Sequence, residues 1–303
     1  MLKRYAVIDL GTNTFHLLIA ERATGPTFRP VFRKRKFVKL GEEGLEQLGK
    51  APFERGIQTM QEFHQFLKQY QVEQVRAIGT AALRTASNGA DFLREVHQLT
   101  GITVELISGD QEAEWIYEGV KQAVLLDDTF SLIMDIGGGS VEFILANKQG
   151  MSWRQSFPVG LAVLYNRFHH HDPILPEESQ QLYDFLEAQL QPLWQLLPKY
   201  APQTLIGAAG AFEIFSSFLP SQTITPHQRN FEVKDFNDLH QTVSISTLKQ
   251  RLAMEKMPAS RADMIVVALE LTYFVVKRAG IGEIAVSEFA MKEGIFSWFK
   301  SET

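Results

Sequence analysis

The first apolar stretch, Tyr5 to Leu10, is interrupted only by Asp9. Gly11-Thr12-Asn13-Thr14 follows as a turn, and Phe15 to Glu21 resumes an apolar strand. The pattern predicts a hairpin with a carboxylate at its mouth. It recurs downstream, where Leu132 to Ile136 carries Asp135, Gly137-Gly138-Gly139-Ser140 forms the turn, and Val141 to Ala146 is the returning strand. Asp9 and Asp135 are 126 residues apart, and a second pair of similar segments, Arg76 to Ala82 and Thr204 to Gly210, places Gly79 and Gly207 128 apart. Two features at nearly one period predict an internal duplication, with two similar lobes facing each other across a central cleft.

Between these landmarks the period changes to that of helices. Pro52 to Tyr70 places Phe53, Ile57, Met60, Phe63, Phe66 and Leu67 three and four residues apart. Glu177 to Leu197 reads as a second helix adjusted near Pro192, and Arg261 to Arg278 as a third. Ile102 to Ile107 is a strand, and Ser108-Gly109-Asp110-Gln111 opens a helix capped by Ser108 or Asp110. Strands mixed with helices in this order predict an α/β fold with helices covering each sheet. At 303 residues the chain is long for one core. Lobes of 1–126 and 127–303 are expected, the last helix returning to the first lobe.

There is no cysteine, which removes disulfides, thiolate metal sites and thiol nucleophiles from consideration and suggests a cytoplasmic protein. Asp9 breaks the apolar run behind Lys3 and Arg4, so a signal peptide is not expected. Met264 to Val276 is too short to span a bilayer and holds Glu270. The net charge of -5 is unevenly distributed: residues 22 to 39 hold Arg22, Arg29, Arg33, Lys34, Arg35, Lys36 and Lys39 and no acid, leaving a balance of -12 elsewhere. Such a stretch is either a solvated strand face or a guide for a phosphate chain or nucleic acid.

Consecutive glycines let several backbone N–H groups point at one anion, so Gly137, Gly138, Gly139 and Ser140 are a candidate phosphate loop. Thr12, Asn13 and Thr14 add donors in the matching turn. No P-loop pattern is present, and Gly280 to Ala285 matches a dinucleotide motif only by letters, because it leads from a helix into a strand. Asp9, Asp135 and Glu142, beside these turns, are candidate magnesium ligands. By alternation alone Glu142 faces either solvent or the site. Arg84, after Thr80-Ala81-Ala82-Leu83, can hold two phosphate oxygens at once. Glu112 lies in a helical first turn with Asp110 and Glu114 nearby, and spacing singles out none of them. The run His169-His170-His171-Asp172 reads as a surface loop.

These residues resemble the Ppx/GppA phosphatase family of exopolyphosphatases and guanosine pentaphosphate phosphohydrolases. The similarity runs through Asp9 to Thr14, Lys39-Leu40-Gly41-Glu42, Gly79 to Arg84 with Asn88, Ile107 to Ala113, and Asp135 to Glu142. It implies the actin-like ATPase fold shared by actin, sugar kinases and heat-shock chaperones, of ribonuclease H-like lobes. It also implies Glu112 as the base that activates water, Asp135, Glu142 and Asp9 as organisers of magnesium, and Thr12, Asn13, Thr14, Arg84 and Gly137 to Ser140 as phosphate-binding. Two positions depart from the family pattern: His16 and Val163 stand where arginine is more usual.

The implied activity is exopolyphosphatase, hydrolysis of the terminal phosphate of inorganic polyphosphate. Guanosine pentaphosphate (pppGpp) phosphohydrolase and a non-catalytic polyphosphate or alarmone sensor are the alternatives. A kinase of the same fold is disfavoured by the Glu112 segment. Neither membrane nor nucleic acid is an expected partner, and a homodimer is the base expectation.

Overall fold

The computed structural model describes residues 3–22 and 28–299. Their contacts divide them into two compact units, one drawn from Met1–Glu118 with Met291–Thr303 and the other from Gly119–Ala290. The first begins with β1 (Arg4–Leu10), β2 (Thr14–Arg22) and β3 (Phe28–Phe37). It continues with α1 (Lys50–Gln69), β4 (Gln74–Gly79), α2 (Ala81–Thr85), α3 (Gly89–Thr100), β5 (Val104–Leu106) and α4 (Gly109–Ala123), which runs on into the second unit.

The second unit opens in the same way with β6 (Ser131–Ile136), β7 (Val141–Asn147) and β8 (Gly150–Phe157). It continues through α5 (Leu161–Phe168), α6 (Pro176–Gln189), α7 (Gln191–Trp194), α8 (Leu197–Tyr200), β9 (Thr204–Ala208) and α9 (Gly210–Phe218). Then come β10 (Gln222–Thr225), β11 (Gln228–Glu232), α10 (Val233–Ser244), α11 (Leu248–Leu252), α12 (Ile265–Ala279) and β12 (Glu283–Ser287). With α13 (Met291–Phe296) the chain is again in the first unit.

The duplication is visible in the sheets. The first has the order β3-β2-β1-β4-β5, and the second contains β8-β7-β6-β9-β12, extended by β11 and β10. Each matching neighbour pair runs the same way, antiparallel for the first two and parallel for the next two. The fold is therefore α/β with two similar lobes. Parallel strands β1, β4 and β5 align Leu10 with Gly79 and Gly79 with Leu106, so the residues that follow these strands gather at one end of the sheet. That end is where open α/β sheets bind ligands.

Alternation decides the faces of the first sheet. Ala6, Ile8, Leu10, Phe15, Leu17 and Ile19 pack with Ile57, Met60 and Phe63 of α1 and Phe92 and Val96 of α3. Burying each large side chain contributes about 1.5–3 kcal/mol. The opposite face, which carries Tyr5, Asp9 and His16, meets α13 and the turn that follows it: Phe296 lies 5.0 Å from Phe28 and Phe299 lies 5.1 Å from Tyr5, ring centre to ring centre.

Several local expectations differ from the structure. The helix expected over 177–197 is three helices, because Pro192 and Pro198 lack the N–H that would continue the ladder and each sits in the first turn of a new helix. α12 begins at Ile265, four residues later than expected. In the histidine run, His170 and His171 are exposed but His169 is buried, 9% exposed, and stacks on Tyr165. Gly280 ends α12 with a positive φ of 66°, confirming that Gly280 to Ala285 joins helix to strand.

Glu270, 2% exposed in α12, accepts hydrogen bonds from Tyr183 and Ser244 and lies 3.1 Å from His240. Burial alone would raise its pKa, but these partners outweigh that and hold it below the usual value. Among the described residues no helix is long and apolar enough to cross a membrane.

Candidate functional site

In the second unit the register sets Asp135 opposite Glu142, and Glu142 opposite Ser156. Directly opposed residues share a face, so the two carboxylates are neighbours. Glu142 is 1% exposed and its Oε1 accepts from Ser140 Oγ at 2.7 Å and Ser156 Oγ at 2.6 Å. Every residue of β7 is buried. Alternation therefore gave no guide to the direction of Glu142: its strand is covered on both faces.

The turn beside this pair is laced to the start of α5. Leu161 N donates to Gly137 O at 3.0 Å, Ala162 N to Gly138 O at 2.8 Å and Gly160 N to Gly139 O at 3.3 Å. In a planar trans peptide the C=O of one residue and the N–H of the next point in opposite directions. Holding the carbonyls of Gly137, Gly138 and Gly139 against α5 thus turns the N–H groups of Gly138, Gly139 and Ser140 the other way. Three successive N–H groups on one side suit an anion. Gly160 is part of this device, since a Cβ there would lie 2.5 Å from Gly138 and Gly139 backbone.

The first unit repeats the arrangement with other side chains. Gly11 N donates to Thr14 O at 3.1 Å, as Gly137 N does to Ser140 O at 3.0 Å. Asn13 O accepts from Val38 N and Lys39 N, and Thr12 O from Gly41 N. By the same peptide geometry the N–H groups of Asn13 and Thr14 are directed away from that segment. Thr12, Asn13 and Thr14 are all buried. Asp9 is opposite His16, and His16 opposite Arg35. Burial pushes the Asp9 carboxyl up to about 6, Lys292 of α13 holding it down and Glu293 adding to the rise.

Glu112 and Arg84 lie at the same end of this sheet. Ser108, at the N-terminus of α4, accepts from Gln111 N at 3.2 Å while Gln111 Oε1 accepts from Ser108 N at 3.0 Å, a reciprocal cap that selects Ser108 over Asp110. Glu112 follows in the first turn, with its Oε2 shielded from solvent. Arg84 is exposed in α2 and donates from Nη1 to Ile107 O at 2.5 Å, tethering the turn that leads to Glu112.

Thus Asp9, Thr12, Asn13, Thr14, Arg84 and Glu112 belong to the first unit, and Asp135, Gly137 to Ser140 and Glu142 to the second. Among the described residues no group of three or more histidines, aspartates or glutamates is placed to hold a metal ion. Asp135 and Glu142 form a pair. Such a donor set fits magnesium, which is bound through one or two carboxylates with substrate phosphates completing its shell.

The basic stretch does not form one surface. Lys34 and Lys36 pair with Glu62 of α1, Arg29 pairs with Glu21, and Arg33 pairs with Glu293 of α13. β3 alternates, so Lys34 and Lys36 lie on the α1 face while Arg33 and Arg35 lie on the α13 face. Residues 23–27 of that stretch lie outside the described residues. Reasoning along the chain missed Lys292, Gly160 and Ser156, each of which meets its partners only through the folded sheet. Pairing the strands of the two predicted hairpins would have exposed the Asp9–His16 and Asp135–Glu142 oppositions.

Comparison with known proteins agrees with this architecture. The family model for the Ppx/GppA phosphatase family matches residues 18–302. The crystal structure of an exopolyphosphatase from Cytophaga hutchinsonii is 36% identical, with a TM-score of 0.91 over 97% of this chain and 96% of that one. The Aquifex aeolicus member of the family has the same fold, with 23% identity and a TM-score of 0.80 over 98% of this chain and 97% of that one. A guanosine-5'-triphosphate,3'-diphosphate pyrophosphatase from Aeromonas hydrophila is 26% identical over 294 residues, 96% of this chain and 58% of that protein. The chain thus spans little more than half the length of that curated relative. With most of its length matched by the family model and its fold shared with solved members, the chain belongs to the Ppx/GppA phosphatase family.

Proposed function

We propose that the protein is a divalent-metal-dependent exopolyphosphatase that releases the terminal orthophosphate of inorganic polyphosphate. The observation that carries this reading is the near-complete coverage of both chains in the match to the exopolyphosphatase of Cytophaga hutchinsonii, at 36% identity. Each unit carries a part that such chemistry needs. Phosphoryl transfer passes through a loose transition state, so the protein mainly positions the nucleophile and neutralises charge.

In the proposed reaction Glu112 accepts the proton of the attacking water. The helix terminus favours the ionised carboxylate that a general base requires. The N–H groups of Gly138, Gly139 and Ser140 bind phosphate oxygens, as do those of Asn13 and Thr14, and Arg84 adds a guanidinium. Asp135 and Glu142 would hold magnesium, which when bound supplies charge neutralisation at the phosphates. Water attacks phosphorus, the phosphoanhydride bond breaks, and the shortened chain leaves with its oxygen.

The second reading is hydrolysis of guanosine pentaphosphate to the tetraphosphate, favoured by the 26% identity to the Aeromonas pyrophosphatase. The ratio of kcat/KM on polyphosphate to that on guanosine pentaphosphate, both with magnesium, decides between them. A ratio above one supports the exopolyphosphatase, and a ratio below one supports the pentaphosphate hydrolase.

A further inference from the structure

The last torsion of a glutamate side chain is soft, so a carboxylate with no fixed partners turns easily about it. Glu142 is not in that position. It sits in β7, a strand buried along its whole length, and two hydroxyls end on the same one of its oxygens: Ser140 Oγ donates to Oε1 at 2.7 Å and Ser156 Oγ at 2.6 Å. These are the lengths of a hydroxyl donating to an ionised carboxylate, about 2.5–2.7 Å. With both donors on Oε1, the two oxygens cannot exchange places unless both bonds break.

The two serines reach Glu142 from different elements. Ser140 closes the glycine turn, and Ser156 lies directly opposite Glu142 on β8. The stretch that begins at Ser156 goes on to lace that turn, through the N–H groups of Gly160, Leu161 and Ala162 on the carbonyls of Gly139, Gly137 and Gly138. One short segment, 156–162, thus holds Glu142 by a side chain and the turn by its backbone. In the first unit His16 and Arg35 stand at the places of Glu142 and Ser156, an imidazole and a guanidinium in place of a carboxylate and a hydroxyl.

We propose that Ser156 is a positioning residue for the metal site: its bond to Oε1 fixes the Glu142 carboxylate in the orientation that receives a divalent cation beside Asp135, and places that carboxylate relative to the glycine turn. The assignment rests on the reading of Asp135 and Glu142 as metal ligands and deepens it. Ser156 itself touches neither metal nor substrate. Hydrogen-bond partners that orient a metal ligand in this way contribute about 10–100-fold in metal affinity.

The test is a manganese titration of the full chain followed by electron paramagnetic resonance, without phosphate, so that turnover plays no part. Ser156→Ala is expected to weaken manganese binding about tenfold or more, and Ser156→Thr, which keeps the hydroxyl, to stay within about threefold of the parent. A serine serving stability alone would lower the melting temperature of the metal-free protein and leave manganese affinity as it was. Combined with Glu142→Gln, Ser156→Ala is expected to add no further loss, because it acts through that carboxylate. Parent-like affinity in Ser156→Ala, or an undiminished loss in the Glu142→Gln background, would overturn the assignment. Should Ser156→Ala fail to fold, Ser156→Cys, whose thiol is a weak donor, takes its place with the same two outcomes. Unchanged affinity in Glu142→Gln by itself would instead defeat the metal reading on which the assignment rests.

Discussion

The first hairpin sets Asp9, His16 and Arg35 in one cross-strand row, and the second sets Asp135, Glu142 and Ser156 in the matching row. Both turns close with the same hydrogen bond, and both have carbonyls tied to the segment after the third strand. The backbone pattern and the aspartate of the first strand are kept, while the residues on the second and third strands differ. A duplicated hairpin can thus present N–H groups twice and still differ in its side chains, with a second carboxylate and a hydroxyl in one copy where the other has an imidazole and a guanidinium.

The contrast can be broken most severely at Glu112, which only the first unit supplies. Glu112→Gln should lower kcat by about 10²–10⁴, the usual contribution of a general base, with KM little changed. Stopped-time orthophosphate assays under saturating polyphosphate check it, and a kcat within threefold of the parent would remove Glu112 from the role.

Gly160→Ala attacks the second turn alone. Its Cβ would overlap the backbone of Gly138 and Gly139, so the turn or α5 must move. Overpacking of this kind costs about 1–3 kcal/mol, and a lower melting temperature with at least a tenfold fall in kcat/KM is expected. In the first turn the corresponding lacing residue is Lys39, a side-chain-bearing residue at φ 51°, so Lys39→Ala should leave stability nearly unchanged. Equal losses from Gly160→Ala and Lys39→Ala would show that the two turns are not closed in different ways.

A smaller and pH-dependent effect is expected away from the turns, at Glu270 in the second unit. Its pKa is depressed in the folded state, so its contribution to stability is present above the unfolded value of about 4.3 and fades as pH falls through the folded value. Glu270→Gln should cost about 1–3 kcal/mol at pH 7, the price of unsatisfied buried partners, and the gap in melting temperature should close on acidification. A gap that widened toward acid would reverse the sign assigned to this group.

Much of this arrangement was legible along the chain because it is local. Alternation and turn residues marked both hairpins, and helical spacing marked α1. The Asp9 and Asp135 spacing revealed the duplication before any strand order was known. What escaped was non-local or two-sided. β7 is buried on both faces, so Glu142 could not be oriented by alternation. The basic stretch looked continuous because successive residues of β3 belong to opposite faces. Lys292 is remote in sequence from Asp9, and no periodicity connects α13 with β1. The α6 to α8 breaks depended on two prolines, only one of which had been given weight.

The difference between the two rows is tested most directly by manganese binding, followed by electron paramagnetic resonance without phosphate, on the parent, Glu142→Gln and Asp9→Asn. The proposed reaction, with Asp135 and Glu142 holding the metal, predicts that Glu142→Gln weakens manganese binding at least tenfold while Asp9→Asn leaves it unchanged. Equal weakening by both substitutions would contradict it, making Asp9 a metal ligand and the first row no different in kind from the second.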